Sequence, residues 1–197
     1  MSKSLGCIVV LVIGIVIVGA ILMGQYNGLV KSQENVNNAW AQVQNAYQRR
    51  LDLIPNLVET VKGVAKFEKE TYIAVAEARA KAGQINISAD ALNDPETFKK
   101  FEAAQSALTS SLSRLIATAE AYPELKANQN FLQLQSQLEG SENRIAVERR
   151  RFNEAAQEYN TKIRSFPTSL IAGMFGFHQR PYFQAAPEAQ TAPKVQF

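Results

Sequence analysis

The sequence predicts an all-α protein in which an N-terminal transmembrane helix is continuous with the first helix of an antiparallel four-helix bundle. Three observations lead to this fold class. Residues 5–24 are apolar or small and carry no charge. From Tyr26 onward, apolar residues recur at spacings of three and four, which is the helical period. After the first 24 residues, no run alternates apolar and polar side chains as a half-buried strand would.

The apolar run 5–24 is long enough to cross a bilayer as a helix. At 1.5 Å per residue it spans roughly 30 Å, the thickness of the hydrocarbon core. A cleavable signal peptide would have a shorter apolar core and a small-residue cleavage site behind it, whereas Gly19 and Ala20 lie inside this run. We therefore expect an uncleaved anchor. Lys3 precedes the span and Lys31 follows it, so the positive-inside rule favours, by about one charge, a cytoplasmic N-terminus with the bulk of the chain outside.

No proline or glycine-rich hinge separates the span from the first amphipathic helix, which begins at Tyr26. Both are therefore predicted to form one rod. The second helix is predicted to begin near Pro55, because proline suits a first helical turn and Asp52 can cap it. This helix is expected to end at Gly83, and residues 84–93 are expected to form a loop.

The third and fourth helices have clear boundaries in the sequence. Asp94-Pro95-Glu96 is a strong start signal for the third helix, which stops at Tyr122-Pro123. The fourth and longest helix extends over residues 131–166 and is closed by Pro167. The spacing of its apolar residues continues unchanged across Gly140. We therefore predict one continuous helix, although a glycine inside a helix costs about 1 kcal/mol. Four such helices joined by short loops bury their apolar stripes most simply as an antiparallel bundle.

These elements divide the chain into five parts. The predicted parts are a leader (1–4), a transmembrane helix (5–24), a four-helix bundle domain (25–166), an apolar membrane-proximal segment (167–183) and a disordered tail rich in proline and alanine (184–197).

The membrane-proximal segment predicts a second contact with the membrane. In an up-down-up-down bundle the fourth helix returns to the bilayer, so Phe166 is expected near Tyr26. The segment that follows is apolar and aromatic but too short to span. We hypothesise that it lies in the membrane interface or seals contacts between neighbouring subunits, and the alternative is that it packs back on the base of its own bundle. The candidate contact residues are Leu170, Ile171, Met174, Phe175 and Phe177.

The same geometry predicts a ring of basic side chains near the membrane face, formed by Arg79, Lys81, Lys162 and Arg164. Anionic lipid headgroups would attract each of them by about 1 kcal/mol. The alternative is an ordinary solvated collar with acidic side chains interspersed.

The sequence contains no recognisable catalytic, metal or cofactor site. Its one histidine, His178, lies outside the predicted bundle helices, so the Glu-x-x-His pairs of a di-iron bundle are absent. Zinc-ligand spacings, glycine-rich phosphate loops and nucleophile elbows are absent as well. A net charge of +3, from 21 basic and 18 acidic residues, is too balanced to indicate nucleic acid as a partner. We expect no enzymatic activity and no cofactor.

Several stretches of the chain closely resemble bacterial LemA proteins. The resemblance covers nearly the whole chain up to Gln184 and implies an N-terminal membrane helix and an antiparallel four-helix domain. It also implies no established enzymatic activity and an envelope-associated role, which we place at the bacterial inner membrane, because family members are often found beside membrane metalloproteases or phosphatase-like envelope proteins. The stretches that carry the resemblance are 26–30, Asn38-Ala-Trp40, 49–63, 138–154, 159–160, 163–167, Phe175-Gly-Phe177 and Tyr182-Phe183.

Two of these stretches predict an ion pair at the membrane-distal turn. The block 49–63 is placed between the first and second helices, and residues 139–151 form the distal half of the fourth helix. If Phe166 lies beside Tyr26, counting residues back along the fourth helix and forward along the first brings the two blocks to the same height above the membrane. We predict an arginine–glutamate pair that fastens the turn, and this structural role is favoured over ligand binding. The candidates are Arg49 or Arg50 with Glu139 or Glu142.

The predicted function is that of a non-enzymatic scaffold of the bacterial envelope. Its expected partners are membrane lipids and further copies of the same chain, with the bulk of the chain on the periplasmic side. The rival hypothesis is an adaptor or regulator of another envelope protein such as a membrane metalloprotease, with the tail or the turn 49–56 as the contact. An enzyme is disfavoured because no nucleophile, base or metal site can be assembled.

Overall fold

The computed structural model describes residues 2–64, 67–85, 88 and 90–184. Within these ranges the chain is helical and has no strand, so the all-α prediction is confirmed. The predicted tail lies outside the described residues from position 185 on. A four-residue 3-10 turn, Asp90–Asn93, precedes α3. The helices are α1 Ser2–Lys62, α2 Lys69–Gln84, α3 Pro95–Ala119, α4 Pro123–Lys126, α5 Gln129–Arg164 and α6 Thr168–Phe175.

Helix α1 is one uninterrupted helix of 61 residues. The portion from Ile8 is long and apolar enough to cross a membrane by length and composition, and none of its most apolar stretch is buried. The first fully buried apolar side chain is Leu29, followed by Val36 and Trp40. The apolar run and the first helix of the folded domain therefore form a single rod, as predicted.

The predicted start of a second helix near Pro55 is wrong, because α1 continues through this proline to Lys62. A proline inside a helix costs about 3 kcal/mol, since it removes one hydrogen bond and crowds the preceding turn. Here Pro55 itself is exposed while Ile54 and Leu57 beside it are completely buried. Burial of these aliphatic side chains offsets the cost. The connection to α2 consequently lies at residues 63–68, and α2 is only 16 residues long.

The predicted starts and continuity of the later helices are confirmed. Helix α3 begins at Pro95, and the Asp94 side chain caps it by accepting a hydrogen bond of 3.0 Å from the backbone N–H of Glu96. Helix α5 passes through Gly140 without a break. The Asn128 side chain caps its first turn.

The folded domain has its base where α1 leaves the apolar run and its distal end near Lys62. Helices α1 and α5 run antiparallel, since Lys162 lies beside Ser32 while Arg50 lies beside Glu142. Two groups of buried side chains follow one another along this pair. The aromatic cluster, nearer the base, contains Trp40, Tyr47, Phe98, Phe101, Phe152 and Phe183, among others. The aliphatic cluster, nearer the distal end, contains Leu51, Ile54, Leu57, Leu108, Leu112, Leu115 and Leu138, among others.

Candidate functional site

Helix α6 lies across the base of the domain. The Thr168 hydroxyl donates a hydrogen bond of 2.8 Å to the Gln25 side-chain oxygen, and the ring centroids of Phe175 and Tyr26 are 5.0 Å apart. Thr168 and Phe175 are about 10 Å apart along α6, whereas Gln25 and Tyr26 are consecutive on α1. Helix α6 therefore crosses α1 at the level where the apolar run ends.

The two faces of α6 have different environments. Thr168, Ile171 and Ala172 are buried against the domain. Leu170 is 62% exposed and Met174 81% exposed on the opposite face.

The five predicted contact residues of the segment fall into two groups. Leu170, Met174 and Phe175 are exposed, with Phe175 at 61%. Ile171 packs inward, and Phe177 is half-buried with its ring 5.8 Å from that of Tyr26. The segment thus packs back on the domain with one face and leaves the other face uncovered.

Gly176 ends α6 and redirects the chain. Its φ of +72° lies in the left-handed region, which suits glycine because it has no Cβ. The backbone N–H of Phe177 then donates a hydrogen bond of 3.0 Å to the carbonyl of Ala172. After this turn, residues 177–184, which we name the strap, run back along α5 away from the base.

Two asparagines of α5 hold the strap by its backbone. The Asn160 amide accepts from the N–H of Arg180 and donates to its carbonyl, both at 2.8 Å. The Asn153 amide makes the same pair of bonds with Phe183, both at 2.9 Å. Seven helical residues and three extended residues each cover roughly 10 Å, so the two spacings match. Each asparagine amide therefore pairs with both backbone groups of one strap residue, as the backbone of a neighbouring β-strand would.

The end of the strap closes the aromatic cluster. The Phe183 ring lies 4.8 Å from that of Phe98, and the Arg149 guanidinium stands 4.5 Å above the Phe183 ring. Arg149 also donates to the carbonyl of Gln184 at 3.0 Å, and the Gln184 N–H donates to Glu102 at 3.4 Å. Burial raises the pKa of Glu102, and the hydrogen bond from Gln184 and the charge of Arg149 oppose that rise. The strap is therefore fixed to both α3 and α5.

The location of the strap corrects one grouping made from the sequence. Tyr182 and Phe183 were assigned to the apolar membrane-proximal segment. Phe183 instead lies level with Asn153, roughly 16 Å up α5 from its end at Arg164. The chain turns away from the base after Gly176, and this places Phe183 in the aromatic cluster.

The predicted basic ring is only half present. Lys162 and Arg164 lie near the base, where the Lys162 ammonium is 2.7 Å from Glu158 and the Arg164 Nε donates to the carbonyl of Asn160 at 3.2 Å. Placing Arg79 and Lys81 there is wrong. The Arg79 Nε donates to the carbonyl of Leu51 at 2.9 Å, about 37 Å along α1 from Tyr26. Because α1 extends to Lys62, α2 is short, and it ends at the level of Gln44 and Gln48 together with Lys81.

The predicted arginine–glutamate contact is present between Arg50 and Glu142. The Arg50 side chain is 1% exposed and pairs with the Glu142 carboxylate. It also donates to the Thr109 hydroxyl at 2.8 Å and to the Gln105 side-chain oxygen at 2.5 Å. We call this arrangement of α1, α3 and α5 the Arg50 node.

The other two candidates, Arg49 and Glu139, do not join the node. Glu139 accepts from Gln135 on its own helix, and Arg49 lines a separate cavity between α1 and α5. The node also lies below the distal turn, because α1 continues for twelve residues beyond Arg50. It stands between the aromatic and the aliphatic clusters, next to a cavity of about 400 Å³ that Gln184 also lines.

Among the residues that the structure describes, no group of three or more His, Cys, Asp or Glu side chains is placed to hold a metal ion. The buried charged groups of the node and the strap are engaged with protein partners.

Sequence reasoning missed Asn153, Asn160, Arg180 and Phe183. Arg180 is buried, and its guanidinium reaches the side-chain oxygen of Asn93 at 2.6 Å. One signal was available, since two asparagines seven residues apart lie on one face of α5 beside its apolar stripe.

The sequence was compared with known proteins. A profile of the LemA family matches residues 39–197. Protein LemA of Metamycoplasma hominis is 27% identical over 166 residues, which cover 84% of this chain and 72% of that protein. Magnetosome protein MamQ 2 of Paramagnetospirillum magneticum is 27% identical over 199 residues, covering 93% and 73%. Magnetosome protein MamQ of Magnetospirillum gryphiswaldense is 26% identical over 186 residues, covering 86% and 68%.

Proposed function

The chain belongs to the LemA family, and from that premise we propose that it is a non-enzymatic scaffold anchored in the bacterial inner membrane by α1. Its helical domain, a four-helix bundle completed by α6 and the strap, assembles laterally with further copies of the same chain. The bulk of the chain lies on the periplasmic side.

The continuity of α1 is the observation that carries this proposal. Residues 8–23 of this helix are exposed and apolar, and Leu29, Val36 and Trp40 of the same helix lie in the domain's core. No break separates the two portions. Every anchored copy therefore stands at the same height with its base toward the bilayer. Fixed height and direction reduce the orientational freedom that lateral assembly would otherwise cost.

An open seam between α1 and α5 supports contact with a second copy. Here a cavity of about 560 Å³ is lined by α1 and α5, and small residues such as Ala46, Gly140 and Ser141 leave room for close approach. Amide side chains and Arg49 offer polar contacts at the same place. Two of the three relatives reported above are named magnetosome proteins rather than after a reaction.

The mass of the full-length protein extracted in mild detergent tests the scaffold proposal. We expect one uniform oligomer by native mass spectrometry, matched by chemical crosslinking in intact membranes before extraction. A monomer in both experiments contradicts self-association. A monomer that co-purifies with another membrane protein supports the adaptor function instead.

The orientation is tested separately by cysteine labelling. Cys7 is the only cysteine, so a Cys7→Ser variant has no thiol that the maleimide can label. Glu59→Cys, at an exposed position far from the base, should react with a membrane-impermeant maleimide on intact spheroplasts. Labelling only after lysis contradicts the periplasmic placement.

A further inference from the structure

We propose that α6 is an interfacial helix whose exposed face sits at the boundary between headgroups and hydrocarbon in the leaflet facing the helical domain. This inference rests on the membrane anchoring by α1 proposed above. It adds a second, independent attachment of the domain to the lipid surface.

The position of α6 along α1 is the first step. Its two ends contact Gln25 and Tyr26, which directly follow the exposed apolar run. When residues 5–24 fill the hydrocarbon core of roughly 30 Å, Gln25 and Tyr26 emerge at the interface. Tyrosine is enriched at this depth because its ring is apolar and its hydroxyl can remain hydrated. Since α6 crosses α1 at this level, it runs along the bilayer surface.

The direction of the exposed face is the second step. Leu170 and Met174 of α6 are four residues apart, and both are more than 60% exposed, as is Phe166 in the turn just before the helix. Thr168, Ile171 and Ala172 occupy the opposite face and pack against the domain. The apolar face therefore points away from the domain, toward the side from which the apolar portion of α1 departs.

The fixed ends of α6 are the third step. An isolated helix of eight residues is unstable in water, because its few hydrogen bonds do not offset the free-energy cost of forming the first turn. Here the bond between Thr168 and Gln25 holds the first turn, and the strap that follows Gly176 is fastened to Asn160. The apolar face is thus ordered before any lipid contact, so insertion does not have to fold the helix.

Charges beside α6 fit an anionic lipid surface. Lys162 and Arg164 end α5 just before α6 begins. Positive groups at this depth attract the headgroups of anionic lipids. The apolar face of α6 and the apolar surface of α1 adjoin one another, so one lipid bilayer covers both. This continuity favours lipid over a second copy of the chain as the occupant.

A fluorescent probe at position 174 tests the inference. The full-length chain carries Cys7→Ser and Met174→Cys labelled with an environment-sensitive fluorophore, in vesicles of phosphatidylcholine and phosphatidylglycerol. We expect a blue-shifted emission and strong quenching by lipids that carry a quencher at a shallow acyl position. The matched control, Gln179→Cys, lies just beyond α6 on the strap and should show little of either effect.

Two further readings separate the possible outcomes. A probe at Met23→Cys, on the exposed apolar portion of α1, reports anchoring itself. Quenching at position 23 without quenching at position 174 overturns the inference and leaves the anchored scaffold intact. Loss of quenching at both positions contradicts the anchoring. A blue shift at position 174 that grows with protein density and ignores lipid quenchers indicates a second copy, and it also overturns the inference.

Substitution of the exposed face provides an independent measurement. With the probe at Phe166→Cys, the double change Leu170→Gln and Met174→Gln should remove most of the lipid quenching. Both side chains are exposed, so the helical content by circular dichroism should not change. Undiminished quenching contradicts a role for this face.

Discussion

The two halves of the helical domain close their cores by different means. In the distal half, the aliphatic cluster is enclosed by helices that pack their apolar stripes against one another. In the half near the base, the aromatic cluster is completed by Phe183 from the extended strap. Helix α2 contributes to the distal half only, since it ends at the level of Gln44 and Gln48 and does not extend toward the base. The strap packs on that half between α3 and α5, where Glu102 and Arg149 hold its end.

The means of attachment differ as well. The helices of the distal half are held together by burial of apolar surface, and this hydrophobic interaction is not directional. Beyond Phe177, the described part of the strap has no backbone–backbone hydrogen bond, and the amides of Asn153 and Asn160 pair with its backbone instead. A segment without secondary structure can enter a core only when its backbone N–H and carbonyl groups find partners. Directional bonds therefore matter most near the base.

Removing the Phe183 ring should produce the largest difference in stability between the two halves. Phe183→Ala is expected to lower the free energy of unfolding by about 3–5 kcal/mol, because a large buried ring leaves a cavity. Hydrogen exchange should accelerate at the start of α3 and in α5 near Asn153, and α2 should remain protected. Tyr182→Ala, at a half-exposed neighbour, should cost less than about 1 kcal/mol. Equal acceleration in both halves would show that they unfold as one unit.

The Arg50 node tests how the two halves are joined. Arg50→Ala should cost about 3 kcal/mol, since it leaves the buried Gln105 amide without its partner and opens a cavity. Denaturant unfolding with probes in both halves is the measurement, and both should loosen because the node lies between the clusters. Arg50→Met keeps the volume and should recover part of the loss. Arg49→Ala, which touches no part of the node, should change stability by no more than about 0.5 kcal/mol.

Loss of one asparagine amide should loosen only the half near the base. Asn160→Ala leaves the N–H and the carbonyl of Arg180 unpaired, at a cost of about 2 kcal/mol. Limited proteolysis should then cut within the strap sooner, and the distal half should be unaffected. Asn143→Ala, an exposed position on the same helix, is the matched control. An unchanged cleavage rate would mean that Phe183 alone retains the strap.

The smallest expected effect concerns pH. The raised pKa of Glu102 means that the folded state binds more protons than the unfolded state between the ordinary glutamate value of 4.5 and the folded pKa. Stability contributed by this group therefore falls as pH rises through that window. Glu102→Gln should flatten the decline and change stability near neutral pH by less than about 1 kcal/mol. Parallel unfolding curves for both proteins from pH 4.5 upward would contradict this linkage.

The helices that sequence predicted well carry local signals. Asp94 and Pro95 mark the start of α3 through a cap and a fixed φ, and both act within a few residues. Pro55 is an equally strong local signal for a helix start, but burial of the neighbouring side chains keeps α1 continuous through it. That burial depends on the tertiary fold, so rules based on neighbouring residues cannot predict it. The wrong placement of Arg79 and Lys81 followed from that one boundary.

The sites were predictable only where charge made the partner obvious. Arg50 and Glu142 could be paired by counting along two antiparallel helices. The two asparagines on one face of α5 were the only signal for the strap, and they do not identify the backbone with which they pair.

The unbroken α1 also makes the protein a lever. From Gln25 to Lys62 the helix reaches about 57 Å beyond the apolar run, at 1.5 Å per residue. A helix adjusts to a thinner or thicker bilayer by tilting, and a tilt of about 10° would move the distal end sideways by roughly 10 Å. Bilayer thickness would then set the spacing between the distal ends of neighbouring copies.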